Sequence, residues 1–164
     1  MTGEPKHDKP FTRPVPGPPP FNAAAAVAKF ARTLIGIHEV PPGSNDGPAV
    51  RQIQSATGAY RAPWCVSTVQ YEDLHVLGHT YADDTANAYY YAQYGIDHGD
   101  TIPAAKIGAA VVYHIGAGHA GRVVAVHPDG TCDAVEGNEA DAVQLVHRDP
   151  RQIKCTFVLR KEYR

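Results

Sequence analysis

The hydrophobic positions of this chain change period near residue 100. Before it, apolar residues recur at helical spacing. After it, they fall in short β-branched runs. Asn22 is placed to cap a helix over 23–35 that carries Val27, Phe30, Ala31 and Leu34 on one stripe and stops at Gly36. A loop dense in turn formers follows over 36–47. Its acids, Glu39 and Asp46, are expected to be solvated. A short helix over 48–56 presents Val50 and Ile53. Pro63 then suits entry into a third helix, with Val66, Val69, Leu74 and Leu77 apolar and Gly78 as its stop. A fourth helix is expected to begin at Thr80-Tyr81-Ala82-Asp83-Asp84, with acids in its first turn, and to run through Tyr89, Tyr90 and Tyr91 to Gly95. Those tyrosines suit core packing, groove lining or both, with the core as the default. Segments 109–115, 121–127, 132–138, 143–148 and 155–160 read as strands joined by links of hairpin length, such as Pro128-Asp129-Gly130. Helices first and strands afterwards predict an α+β fold with N-terminal helices packed on a C-terminal antiparallel sheet.

Composition narrows the classes. The chain has 164 residues, and seven of its 14 prolines lie within residues 1–20. That density excludes regular helix or ladder bonding and predicts a proline-rich tail or linker, leaving 21–164 as one domain. The formal net charge of -2 gives no electrostatic reason to expect nucleic acid or an anionic membrane as partner. Cys65, Cys132 and Cys155 are odd in number and widely spaced, which fits reduced thiols better than a disulfide framework. No apolar run approaches a membrane span, and residues 1–6 carry no signal-peptide core.

Three positions carry candidate chemistry. Cys65 is predicted in the first turn of the third helix, where the free N–H groups and the dipole favour a thiolate. The same position also suits an ordinary buried core thiol. His119, in Gly118-His119-Ala120-Gly121, sits at the mouth of a strand among small neighbours that leave its ring accessible. Glu136 and Asn138, two apart on the next strand, are expected on one face. Hairpin pairing of 121–127 with 132–138 returns the chain toward His119. A nucleophile, a base and a group that orients the base then come from two halves of the fold. With nine histidines in the chain, a chance partner for such a set is easily found. His114, His119, His127 and Cys132 show no compact metal-ligand spacing, so no metal and no cofactor is expected.

Pro63-Trp64-Cys65, Gly118-His119-Ala120-Gly121-Arg122-Val123-Val124 and Glu136-Gly137-Asn138, in that order, resemble the signature of the CHAP amidohydrolase/peptidase domains among the papain-like peptidoglycan hydrolases. Glu39-Val40-Pro41-Pro42-Gly43-Ser44-Asn45 and Phe157-Val158-Leu159 resemble that family too, so the likeness spans roughly residues 23–160. It implies a papain-like fold with Cys65 as nucleophile, His119 as general base and then acid, and Glu136 or Asn138 as orienter. Trp64 would be a substrate contact. The implied substrate is bacterial peptidoglycan, cut by a monomer at the amide between sugar lactate and the first alanine or within the stem or cross-bridge peptide. The proline-rich start and the lack of a signal peptide suit a phage endolysin catalytic domain, made in the host cytoplasm and acting at the cell wall after holin-mediated release. A bacterial wall-remodelling or effector peptidase would use the same residues. A wall-binding module would keep the fold without the reaction. Two departures stand out: Gly108-Ala109 where the family has Gly-Asp, and Arg122 where an apolar residue is common. Gly58-Ala59-Tyr60-Arg61-Ala62 holds no acid, so the calcium site of some members is not implied.

Overall fold

A computed structural model describes residues 21–164; the proline-rich segment lies outside them. Four α-helices come first: α1 (Ala23–Thr33), α2 (Pro48–Gln54), α3 (Cys65–Leu77) and α4 (Ala88–Asp97). Six strands follow: β1 (Thr101–Ile102), β2 (Ala110–Tyr113), β3 (His119–Val126), β4 (Cys132–Glu139), β5 (Ala142–Arg148) and β6 (Cys155–Val158). They form one antiparallel sheet in the order β1-β6-β2-β3-β4-β5. This is the α+β class that the change of period predicts. The return of the last strand to lie between β1 and β2 is not written in any local pattern.

Local signals explain the helix ends. The Asn22 carboxamide accepts from the Ala25 N–H at 2.9 Å, and Gly78 closes α3 in the left-handed conformation at φ 79°. The fourth helix differs from expectation. Ala82, Asp83 and Asp84 all have positive φ and form a left-handed turn, and α4 begins only after Asn87, whose side chain accepts from the Tyr90 N–H. The acids at 83 and 84 therefore lie ahead of the helix rather than in its first turn. Of the three tyrosines at 89–91, Tyr91 is buried and Tyr89 and Tyr90 are exposed.

α3 is the element that the rest encloses. It packs against α1 and α2 on one side and β3 and β4 on the other. Val66 and Val69 are buried as expected, but Leu74 is exposed and the polar Ser67, Thr68, Gln70, Glu72 and Asp73 are fully buried. The helix is held by polar pairing as much as by apolar packing. Arg122 explains this. Its guanidinium, also fully buried, donates from Nε to Glu72 at 2.9 Å, from Nη2 to Asp73 at 2.6 Å and to the Val69 carbonyl at 2.9 Å. The unexpected arginine on β3 is thus the link between sheet and helix. All three thiols are free, and among the described residues no helix is long and apolar enough to cross a membrane.

Two glycines allow the close approach of layers around the site. A Cβ on Gly121 would stand 2.6 Å from Glu136 Cγ. A Cβ on Gly137 would stand 1.9 Å from Thr68 Oγ1, one turn after Cys65, so only glycine lets β4 seat against α3 there.

Candidate active site

Cys65 is the first residue of α3, so its backbone N–H has no partner within the helix. Trp64 precedes it and is fully buried; its indole N–H donates to Glu39 Oε1 at 2.9 Å. The other Glu39 oxygen accepts from the Asn45 N–H at 2.8 Å. Two expectations are corrected here. Trp64 has no surface to offer a substrate, because its ring fills the core between α1, α2 and the sheet. Glu39 and Asp46 are not solvated loop acids; they are 1% and 3% exposed. Asp46 accepts from Arg51 at 2.5 Å, from Arg61 at 2.8 Å and from the Gly47 N–H at 2.8 Å. These hydrogen bonds, that from Arg51 foremost, hold its carboxyl well below the usual carboxylate range. The 36–47 loop is in this way clamped over the entry to α3. It is also stitched to the edge of the sheet by the Glu39 N–H to Asp141 carbonyl bond at 2.9 Å.

On the sheet side, antiparallel pairing sets Gly121 opposite Glu136 and Tyr113 opposite His119. The hairpin thereby returns Glu136 to His119, with His119 Nε2 3.0 Å from Glu136 Oε2. With Nε2 committed to the carboxylate, Nδ1 is the ring atom left for a second partner. Burial works against a charged His119 ring, but its hydrogen bond to Cys65, then that to Glu136, and the charges on both outweigh it and push its pKa up to about 10. Burial also works against an ionised Glu136, yet its bonds from His119 and Arg148 win and hold it below its usual value. The arrangement therefore favours an imidazolium beside an ionised Glu136.

Asn138, the alternative orienter, does not meet His119. The register shifts after Glu136, Asn138 takes φ 57°, and its amide donates instead to Asn45 Oδ1 at 3.1 Å. The expectation that residues 136 and 138 share a face fails because the bulge breaks the alternation between them.

Three residues that the sequence did not single out complete the site. Arg148 donates to both Glu136 oxygens, from Nε at 3.0 Å and from Nη2 at 2.6 Å. Its guanidinium also covers the Tyr113 ring at 5.1 Å, and that ring stacks on His119 with centroids 6.0 Å apart. Glu139 Oε2 lies 3.3 Å from His119 Nε2. Strand pairing could have suggested Tyr113. Nothing local marks Arg148, whose backbone pairs with Cys132 and whose length alone carries it to Glu136.

Donor atoms of His119, Glu136 and Glu139 lie within 4.8 Å of one another, close enough to hold a metal ion. The Arg148 guanidinium already supplies positive charge to both carboxylates at 2.6 Å and 3.5 Å, which works against a second cation. What the arrangement can do without one is activate a thiol: a base within reach of a nucleophile, the base fixed by a carboxylate, and the carboxylate fixed by an arginine. Comparison of the chain with protein-family models, with curated proteins and with solved structures finds no match.

Proposed function

We propose that the protein is a cysteine-dependent amide hydrolase whose substrate is the peptide of bacterial peptidoglycan. The observation that carries the reaction class is the His119–Glu136 pair at 3.0 Å, together with Cys65, at the start of a buried helix, as one of the groups that raise the His119 pKa. The substrate class rests on the likeness of the Cys65, His119 and Glu136 motifs to the CHAP domains. The phage-lysis setting rests on the same likeness.

Cys65 Sγ, as thiolate, attacks the carbonyl carbon of the scissile amide, and the electron pair of the C=O bond moves to oxygen. The unpaired Cys65 N–H and the positive end of α3 favour that oxyanion. As the C–N bond breaks, protonated His119 gives its proton to the departing amine and a thioester remains. Neutral His119 then takes a proton from water. The resulting hydroxide attacks the thioester carbonyl, releasing a carboxylic acid and returning the thiolate beside the imidazolium. Glu136 holds the ring orientation through both steps, and Arg148 holds Glu136.

Digestion of purified peptidoglycan by the wild-type protein and by Cys65→Ala, with products read by mass spectrometry, tests the reading. New fragments from the wild type alone are expected, and their masses identify the bond. Equal cutting by both would make Cys65 structural. No cutting by either folded protein would remove the wall substrate and favour a binding module.

A further inference from the structure

A second cluster of ligating side chains lies at the other end of β4 from Glu136 and takes no part in the site above. His127 follows β3, Asp133 is the second residue of β4 and His147 lies near the end of β5, directly opposite Asp133 in the ladder. His147 Nδ1 is 2.8 Å and His127 Nε2 is 3.1 Å from the same oxygen, Asp133 Oδ1, and the three atoms lie within 4.8 Å of one another. The two ring centroids are 5.3 Å apart.

We propose that His127 Nε2, Asp133 Oδ1 and His147 Nδ1 form a binding site for a divalent cation of the zinc class, with water completing the coordination. Four observations carry it. First, His127 Nε2 is shut off from solvent yet makes no hydrogen bond, although Asp133 Oδ1 lies 3.1 Å away. An orphaned buried nitrogen calls for an ion or a water, and an ion bound to its lone pair satisfies it. Second, the ligands come from three successive strand segments and are set before any ion arrives. The turn that carries His127 is closed by its own N–H to the Thr131 carbonyl at 2.9 Å and by the Gly130 N–H to the His127 carbonyl at 3.0 Å. Thr131 in turn donates twice to Asp129. Third, the donor chemistry fits. Two neutral imidazoles and one carboxylate carry a net single negative charge, and that set suits zinc and its neighbours rather than calcium or magnesium. Fourth, the spacing fits. Tetrahedral bonds of about 2.0–2.1 Å set ligand atoms about 3.3 Å apart, so the two ring-to-carboxylate pairs, at 2.8 Å and 3.1 Å, need open by only a few tenths of an ångström, and the two ring nitrogens lie within 4.8 Å of each other. His147 is largely exposed, which leaves an entry path and an open face for water.

The ion would tie the ends of β3, β4 and β5 together. Asp133 precedes Glu136 by three residues, about 10 Å along the strand, and on the opposite face. The site is therefore structural and independent of the hydrolase reading.

The test uses the full chain in the Cys65→Ala background, which removes the reactive thiol as a competing ligand, with zinc chloride alone as probe. Native mass spectrometry is expected to show one zinc per chain. The histidine ring NMR signals of His127 and His147 should move while that of His119 stays, and the melting temperature should rise by about 5–10 °C at 100-fold excess over Kd. His147→Gln and Asp133→Asn should each abolish uptake and the rise in melting temperature, with the metal-free melting temperature close to that of the parent because both positions are partly exposed. Absence of zinc uptake by the parent would overturn the site and leave a water as the partner of His127. Uptake that survives in the His147→Gln, Asp133→Asn double variant would also overturn it.

Discussion

Two of the buried charge networks, one centred on Arg122 and one on Glu136, end in different states. In the first, Arg122 meets Glu72 and Asp73 of α3, with Arg160 3.2 Å from Asp73 and Tyr163 donating to it at 2.6 Å. Arg122, Glu72 and Asp73 have no exposed side-chain surface. One Glu72 oxygen has no partner, and there burial outweighs Arg122, pushing the Glu72 pKa up to about 7. In the second network every Glu136 oxygen is bonded, Oε1 by Arg148 and Oε2 by Arg148 and His119, and the same degree of burial leaves it ionised and below its usual value. The first network is sealed and joins layers. The second keeps His119 at 13% exposure, one edge of the imidazole within reach of an incoming group. Saturation of the carboxylate and an opening beside the imidazole separate a site able to move protons from a structural tie.

Substitution of Arg122 by Met should have the largest effect. It leaves two acids buried without their shared cation, at a cost of about 3–5 kcal/mol, measured as the loss of denaturation midpoint. Glu136→Gln should act on rate instead: kcat on peptidoglycan falls about 10²–10⁴-fold, with a smaller change in midpoint than Arg122→Met. If Glu136→Gln unfolds the protein as readily and leaves kcat intact, the two networks are of one kind.

The smallest effect is the pH dependence. The His119 pKa is raised from about 6.5 to about 10, so the stability it contributes is fully present below about pH 6.5 and is lost as pH rises through about 10. The denaturation midpoint of the wild type should therefore decline over that window. Cys65→Ala should flatten the decline by removing the largest favourable partner of the imidazolium. Identical slopes would separate His119 from the thiol.

How much of this was legible beforehand differs by element. The caps at Asn22 and Gly78, the entry at Pro63 and the strands around Gly121 and Cys132 follow local rules, and the structure keeps them within a few residues. The fourth helix starts later than its pattern suggests because the acids at 83 and 84 mimic a first turn, while the left-handed backbone that carries them has no signature in residue type. Within the site, hairpin pairing was enough to bring Glu136 to His119. It could not separate Glu136 from Asn138, since a bulge between them is invisible to a period of two.

By itself the sequence determined the order of helices and strands, the placement of Cys65 at a helix start and the meeting of His119 with the following strand. All of these depend on neighbours near in the chain. Only the tertiary structure decided that Arg148 clamps Glu136, that Trp64 is buried on Glu39 and that Arg122 ties sheet to helix, contacts spanning 12, 25 and 50 residues. Burial sets what a charged group must find. The partner comes from whichever distant element packs there, and no local pattern encodes that choice.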